Sequence, residues 1–213
     1  MAGRELVVGV SGASGALLAR RFVERALPSS GLARLHLVFT AASLKVAASE
    51  IDPAIVTAED WIARLPAAAR AHRRKIVLHA NDDVGASIAS GSYLTAGMIV
   101  VPCSAGALGA IANGISRDLM QRAADVCLKE RRPLVLAFRE SPYSLVHIEN
   151  MRRVTAAGAI VAPPSPAFYI ESPSVTRLLD AYCVRAACLL GLVIAGDGLG
   201  WTGAAPGKTR RKR

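Results

Sequence analysis

Short, continuously apolar runs that alternate with helix-forming stretches constrain the fold of this chain more than any other feature. The clearest runs cover residues 6–10, 35–39, 98–101 and 134–138, and two shorter ones cover 76–78 and 159–161. Strands that lack a polar face are typical of a parallel sheet covered by helices on both sides. The sequence therefore predicts an α/β fold with a doubly wound, mostly parallel, Rossmann-like sheet. Ligands are expected at the carboxyl ends of its strands.

Helical spacing of apolar residues follows most of these runs. Helices are expected at residues 16–27, 45–50, 107–112, 145–156 and 174–190. Residues 57–74 are expected to be helical as well, with Trp61, Ile62 and Leu65 on one face. Residues 80–96 are rich in Asn, Asp, Gly and Ser and contain Ser90-Gly91-Ser92. A connection of that length in a compact domain is often functional.

The charge of the chain is concentrated at its end. Of the net charge of +10, the last six residues supply five positive charges. We therefore expect a single domain over residues 1–195 and a basic, solvated tail over 196–213. A weak polyanion-binding role for that tail is the alternative, but no nucleic-acid partner is predicted for the body of the chain.

The sequence gives no sign of a membrane or an oxidising compartment. The richest apolar stretch, residues 186–195, is too short to span a bilayer, and Arg4 and Glu5 do not fit a signal peptide. The cysteines, which are Cys103, Cys127, Cys183 and Cys188, show neither CxxC spacing nor a paired framework. We expect a cytoplasmic protein with buried thiols, no metal site and no membrane partner.

The first strand ends in a turn of small residues, Gly9-Val10-Ser11-Gly12-Ala13-Ser14-Gly15. Backbone amides at the start of a helix attract phosphate, and glycines allow a close approach. The spacing is not GxGxxG, and no acidic residue follows the second strand at Phe39-Thr40 to bind a ribose. The turn favours a flavin or mononucleotide over NAD, although a turn needed only for packing is the alternative.

Pro102-Cys103-Ser104-Ala105-Gly106-Ala107 follows a later strand in the same way. Its amides and the Ser104 hydroxyl are expected to open toward the same crevice. Cys103 is not predicted to be a nucleophile, because no histidine lies nearby in sequence to activate it.

Charged side chains form three further candidates. Arg122, Asp125 and Lys129 share one helix face, where two cations either bind a phosphorylated substrate or form a solvated surface around Asp125. Arg139-Glu140 follows a strand, either as a loop ion pair or as a site of proton transfer. Glu50 is either a second functional carboxylate or a surface charge at a helix end.

A Pro-rich loop at residues 163–169 presents Phe168 and Tyr169 after the last strand. It is expected to cover an apolar ligand or to pack against a neighbouring subunit. Arg185 lies in the apolar last helix and must find a partner, either a phosphate or Asp180, or extend to solvent.

Taken together, these motifs make the chain resemble the UbiX flavin prenyltransferases. The motifs that carry the resemblance occur in order over residues 6–192. They are the turn at residues 9–15, Ser90-Gly91-Ser92, Pro102-Cys103-Ser104, Arg122 to Val126 with 128–134, Arg139-Glu140, 147–151 and 163–169. The chain departs from the family pattern by having no aromatic residue at 81–84 and Ala107 where Thr is common.

The resemblance implies an enzyme that joins the dimethylallyl group of dimethylallyl phosphate to N5 and C6 of reduced FMN. The product is the cofactor of UbiD-type decarboxylases, and no metal is needed. The family assembles through its sites, so a homo-oligomer, and most simply a dodecamer, is expected.

The resemblance also assigns roles to residues. The residues implied for FMN binding are Gly12, Ala13, Ser14, Thr40, Ser104, Ala105, Gly106, Ala107 and Arg139. Those implied for donor binding are Tyr169, Arg185, Lys129, Ser90 and Gly91. Glu140 would be the acid and base at the leaving phosphate, and Lys129, Arg122, Ser14 and Glu50 would complete the catalytic set, with Glu50 coming from an adjacent subunit.

Two other functions remain open at this point. A related FMN-dependent decarboxylase of a cysteine-containing substrate would share the fold, but none of the four histidines lies after the flavin turn. A flavin-binding module with a polyanion-binding tail is the other.

Overall fold

Six parallel strands form one sheet in the computed structural model, which describes residues 3–165, 167–170 and 174–196. The strands are β1 (Arg4–Val10), β2 (Leu32–Phe39), β3 (Ile76–His79), β4 (Met98–Cys103), β5 (Leu134–Phe138) and β6 (Ile160–Val161). Their order across the sheet is β3-β2-β1-β4-β5-β6. This arrangement confirms the predicted doubly wound fold, and the order reverses between β1 and β4, where such sheets bind ligands.

Eight helices connect or flank these strands within the described residues. They are α1 (Ala16–Ala26), α2 (Ala41–Glu50), α3 (Ala58–Ala63), α4 (Ala67–Arg70), α5 (Ala105–Ala112), α6 (Leu119–Lys129), α7 (Leu145–Ala156) and α8 (Val175–Leu189). Side-chain oxygens at Thr40, Ser104, Asp118, Ser144 and Ser174 cap the amino ends of α2, α5, α6, α7 and α8. Such caps satisfy amides that the helix itself leaves unpaired.

The core has two layers, one on each face of the sheet. Leu6 and Val8 of β1 pack with α1, α2 and α8, whereas Val7 faces α5 and α6. Every residue of β4 and of β5 is buried. Burial on both faces is the physical reason that these strands read as unbroken apolar runs.

The stretch from residue 57 to 74 differs from its prediction as one helical segment. It forms α3 and α4, which are separated at Pro66, and then a short 3-10 turn at Arg73–Lys75. Proline has no backbone N–H and fixes φ, so it begins a new helix and cannot continue the previous one. Trp61 and Leu65 are buried as expected, and Trp61 packs against Phe39.

Residues 80–96 form the long connection that the sequence predicts, with one 3-10 turn at Ser87–Ala89. Among the described residues, no helix combines the length and the apolar character that crossing a bilayer requires. The predicted basic tail lies almost entirely outside the described residues, so the division at residue 195 stays a prediction.

Candidate active site

The turn after β1 lies at the carboxyl edge of the sheet and is joined to the turn after β4 through Ser11. The buried Ser11 hydroxyl donates to the Pro102 carbonyl at 2.8 Å and accepts from the Ser104 amide at 2.7 Å. A Cβ atom on Gly12 would lie 2.5 Å from the Ala42 Cβ atom, so only glycine fits between this turn and α2. The two turns thus form one rigid edge, as the sequence predicts.

Glu50 occupies the amino end of α1. Its carboxylate accepts from the Gly15 amide at 2.9 Å and from the Ala16 amide at 2.7 Å. Burial by itself would raise the pKa of Glu50, but hydrogen bonds from Ser14, Gly15 and Ala16 and the charge of Arg139 lower it. The carboxylate is therefore an anion that caps α1.

This position of Glu50 changes two expectations. The chain's own Glu50 lies at the site, whereas a residue from an adjacent subunit was expected. The α1 amides that were expected to attract a phosphate already bind a carboxylate, so a phosphate at this edge needs other donors.

The amino ends of α5 and α2 supply such donors. The Ser104 hydroxyl accepts from the Ala107 amide at 3.2 Å, so its oxygen caps α5 in addition to facing the crevice. Thr40 caps α2 in the same way by accepting from the Ser43 amide at 3.1 Å. Gly106 is exposed, and an added Cβ there would meet nothing within 4 Å. This open space beside helix amides fits the phosphate of FMN.

Arg139 and Glu140 continue this edge directly after β5. The Arg139 amide donates to the Cys103 carbonyl at 3.0 Å, and its side chain is exposed. The Glu140 carboxylate is partly exposed and accepts from the Ser141 amide at 3.0 Å. One edge therefore presents a capped carboxylate, an exposed guanidinium and an accessible carboxylate.

Cys103 lies beneath this edge and is fully buried. Burial raises the pKa of its thiol to about 12, so it is protonated at neutral pH. A protonated, inaccessible thiol is a packing residue, which agrees with the prediction that Cys103 is not a nucleophile.

Helix α6 carries Lys129 away from this edge, whereas Arg122 lies near its amino end. The α6 amino end is fixed at the carboxyl edge, where the Leu119 amide donates to the Asn81 carbonyl. The helix runs antiparallel to the strands for about 16 Å at 1.5 Å per residue. Lys129 thus lies at the amino edge of the sheet, just before β5 begins.

The charges on α6 pair separately. Arg122 forms an ion pair with Asp125 at 2.6 Å and donates to the Ala89 carbonyl at 3.1 Å. Lys129 pairs with Glu130. Asp125 therefore balances Arg122 alone, and the ammonium of Lys129 is half-exposed.

Ser90 and Gly91 lie beside Lys129 at the amino edge. A Cβ atom on Gly91 would lie 2.6 Å from the Lys129 Nζ atom and would also meet Glu130. Arg132 donates to the Gly91 carbonyl at 2.5 Å and to the Tyr93 carbonyl at 2.8 Å. The sequence alone did not predict that Arg132 holds this turn. The signal that could have indicated it was the position of Arg132 in the Glu130-Arg131-Arg132-Pro133 run.

Tyr169 and Arg185 line a separate cavity of about 670 Å³ beside β6. Pro163 and Tyr182 share its wall, and the Tyr182 hydroxyl donates to the Ala162 carbonyl at 2.6 Å. Tyr169 and Arg185 are thus together, as predicted, and lie one strand beyond Glu140. Pro166, within the predicted Pro-rich loop, lies outside the described residues.

The predicted site residues therefore form three groups within one chain. The residues predicted to bind FMN, together with Glu50 and Glu140, line the carboxyl edge. Tyr169 and Arg185 line the cavity beside β6, and Lys129 lies with Ser90 and Gly91 at the amino edge. The expected single crevice is not formed by one copy alone.

Comparison with known proteins identifies relatives of this chain. The flavoprotein family matches residues 1–181. "Flavin prenyltransferase UbiX" of Thauera aromatica is 43% identical over 185 residues, which cover 83% of this chain and 88% of the relative. The enzyme of the same name from a Synechocystis species is 40% identical over 186 residues, covering 85% and 88%.

A solved structure has the same fold. AnUbiX (PadA1), crystallised in complex with FMN and dimethylallyl pyrophosphate, superposes with a TM-score of 0.81 at 39% identity. The match covers 96% of this chain and 100% of that one.

Proposed function

Because the chain belongs to the UbiX flavin prenyltransferase family, we propose that it transfers the dimethylallyl group of dimethylallyl phosphate to N5 and C6 of reduced FMN. The observation that carries this reaction is the carboxyl edge, which combines the open, exposed approach at Gly106 with Glu50, Arg139 and Glu140. Such an edge accommodates a flavin phosphate and leaves one carboxylate accessible for proton transfer.

The residues proposed to hold FMN follow four strands of the sheet. They are Gly12, Ala13 and Ser14 after β1, Thr40 after β2, Ser104 to Ala107 after β4, and Arg139 after β5. Their support is the open approach at Gly106 and the helix ends capped by Thr40 and Ser104. When bound in its reduced form, FMN supplies the electron-rich N5 and C6 positions that receive the prenyl group.

Glu140 is proposed as the acid that protonates the leaving phosphate and the base that later accepts a proton. Its accessible position after β5 supports this role, because proton transfer needs direct contact with the reacting group. Glu50 is held as an anion by the α1 amides, so the two carboxylates have different environments. Such a difference allows one to remain ionised while the other exchanges a proton.

The donor phosphate is proposed to bind Tyr169, Arg185, Lys129, Ser90 and Gly91. Cations around the leaving oxygens stabilise the charge that develops as the carbon–oxygen bond breaks. Because Lys129, Ser90 and Gly91 lie at the opposite edge of the sheet from Glu140, we propose that they reach the flavin site of a neighbouring copy. Arg122, on the same helix, would accompany them.

The oligomer required by this arrangement is proposed to be a dodecamer. A relative described as a dodecameric FMN-dependent UbiX-like decarboxylase from Escherichia coli O157:H7 superposes with a TM-score of 0.79 at 34% identity, covering 93% of this chain and 100% of that one. A UbiD-type decarboxylase as the recipient of the product, and a cytoplasmic location, are further parts of the proposal.

Anaerobic incubation with reduced FMN and dimethylallyl phosphate tests the reaction directly. The released flavin is expected to gain the mass of one five-carbon prenyl group, as read by mass spectrometry. A parallel incubation with dimethylallyl pyrophosphate, the ligand of AnUbiX, identifies the preferred donor. An unchanged flavin mass with both donors, in folded and FMN-loaded protein, would refute the proposed reaction.

A further inference from the structure

A chain of polar side chains, of which His36 is buried and Glu5, His79 and Tyr93 are partly exposed, links three strands of the sheet to the Ser90–Tyr93 turn. The Tyr93 hydroxyl donates to the Glu5 Oε2 atom at 2.5 Å. That carboxylate oxygen also lies 3.1 Å from His36 Nε2. His36 Nδ1 lies 2.9 Å from His79 Nε2. Glu5, His36 and His79 come from β1, β2 and β3 and lie on the sheet face that the 80–96 connection covers.

The hydrogen bonds of this chain are satisfied when both histidines are neutral. Glu5 then accepts from Tyr93 and from His36 Nε2, and His36 Nδ1 accepts from His79. Burial and the neighbouring His36 lower the pKa of His79, which favours its neutral form. Burial alone would raise the pKa of Glu5, but hydrogen bonds from Tyr93 and His36 and the charge of Arg34 lower it.

Such a network is costly to disturb. His36 is 1% exposed, so removing a partner leaves polar atoms buried without a hydrogen bond. A fully satisfied polar network makes the positions of its members rigid. Tyr93 is therefore anchored at its hydroxyl end, through Glu5, to the buried His36.

The other end of Tyr93 is the turn that contacts Lys129. The Tyr93 amide donates to the Ser90 carbonyl at 3.2 Å, and Arg132 binds the Gly91 and Tyr93 carbonyls. The turn is thus held from outside by Arg132 and from inside by the Tyr93 hydroxyl. A Cβ atom on Gly91 would lie only 2.6 Å from the Lys129 Nζ atom, so a shift of Tyr93 moves a turn that lies close to that cation.

We propose that Tyr93, through Glu5 and His36, is a positioning residue that fixes the Ser90–Gly91 turn for binding the phosphate of the allylic donor. The inference rests on the proposed function of that turn. Within the described residues, the hydrogen bonds of Tyr93 reach neither the turns proposed to hold FMN nor Glu140, so its effect is expected on donor binding and not on the chemical step. A residue of this kind changes KM and leaves kcat nearly constant.

Steady-state kinetics with varied dimethylallyl phosphate test this role in the full-length enzyme. Tyr93→Phe keeps the ring and removes only the donating hydroxyl, and Glu5→Ala removes the acceptor. Each is expected to raise KM for the donor about tenfold, the effect of losing a hydrogen bond to a charged group, with kcat within about twofold. Affinity for FMN, measured by fluorescence quenching, is expected to be unchanged.

Glu5→Gln is the conservative variant. A glutamine oxygen in the same place still accepts from Tyr93 and His36, so KM is expected to stay within about threefold of wild type. It also keeps the test available if Glu5→Ala does not fold.

Asp180→Asn is the matched control for a general loss of stability. It weakens the Arg21–Asp180 ion pair between α1 and α8, away from the Ser90 turn, and is expected to lower Tm without changing KM. If Tyr93→Phe lowers Tm in the same way and leaves KM unchanged, Tyr93 is structural only and the proposal is overturned. Absence of prenylated flavin with wild-type enzyme would instead refute the proposed function, so the two failures are distinct.

Discussion

At the scale of single residues, the two carboxylates of the carboxyl edge differ in what surrounds them. Glu50 accepts from two amides at the start of α1, whereas Glu140 accepts from one neighbouring amide and faces the solvent. The first arrangement fixes a negative charge, and the second leaves a carboxyl group that can exchange protons. We therefore assign proton transfer to Glu140 and not to Glu50.

Glu140→Gln is expected to retain FMN and to slow product formation by about a hundredfold, since general acid catalysis commonly contributes that much. An anaerobic single-turnover assay measures the rate. Glu149→Gln on α7 is the matched control, because in the part of the chain that the structure describes Glu149 pairs with Arg152 and Arg153 of its own helix. Equal rates for Glu140→Gln and wild type would remove Glu140 from the mechanism.

The lowered pKa of Glu50 predicts a contribution to stability that depends on pH. A carboxylate whose folded pKa is below its ordinary value of 4.5 stabilises the fold above that value. The contribution is lost as the pH falls through the lower, folded pKa. Thermal unfolding of wild type is therefore expected to lose more Tm than Glu50→Gln between about pH 5 and pH 3. Parallel curves for the two proteins would contradict the assignment of Glu50 as an anionic cap.

At the scale of elements, Gly91 and Gly97 lie at the same edge of the sheet, but Gly91 is expected to matter for donor binding and Gly97 for stability. Gly91 lies against the flexible ends of Lys129 and Glu130, whereas Gly97 has φ +144° and lies against the Pro133 backbone carbonyl. Side-chain ends can move, but a backbone carbonyl and a left-handed φ cannot adapt cheaply.

Gly91→Ala is expected to leave the free energy of unfolding within about 1 kcal/mol of wild type, as most surface changes do. It is also expected to raise KM for the donor by displacing Lys129. Gly97→Ala is expected to cost about 1–3 kcal/mol through backbone strain. Urea unfolding and donor kinetics on both variants measure these effects. A KM for Gly91→Ala equal to that of wild type would argue against Lys129 and Gly91 as a binding pair.

The elements also show how far the sequence alone leads. Apolar runs predicted the six strands. The runs are clearest in central strands such as β4 and β5, where every residue is buried, and shorter in the partly buried edge strands β3 and β6. The residues of the first two glycine turns could be placed at one edge, since each turn directly follows a strand. Lys129 was grouped with them by chemistry, but α6 runs antiparallel to the strands and ends at the other edge. Spacing within a helix gives its face and not the distance between its ends and a distant turn.

Buried hydrogen-bond partners were beyond the sequence for a related reason. His36, His79 and Glu5 are separated by dozens of residues and meet only because β1, β2 and β3 are neighbours in the sheet. The capping of α1 by Glu50 also depends on tertiary structure, because the carboxyl end of α2 lies against the turn that follows β1. Contacts of this kind depend on strand order, which local patterns do not encode.

At the scale of the whole molecule, one copy holds the parts of the proposed site but does not bring them together. The flavin edge and the Lys129 group lie on opposite edges of a single sheet. A head-to-tail contact between copies places the amino edge of one against the carboxyl edge of the next, and repetition of that contact closes into a ring. Assembly is therefore expected to be a condition of activity, and sedimentation is expected to show active protein only as a large oligomer.

Mixing two inactive variants tests this claim most directly. Lys129→Ala and Glu140→Gln chains, unfolded together in equal amounts and allowed to reassemble, form some sites with an intact Lys129 from one copy and an intact Glu140 from another. Random assembly makes roughly one quarter of the sites complete when the two residues come from different copies. The mixture is expected to regain about one quarter of the wild-type rate of prenylated FMN formation, while each variant reassembled alone remains inactive. A mixture no more active than its components would show that each site is built within one chain and would contradict the account.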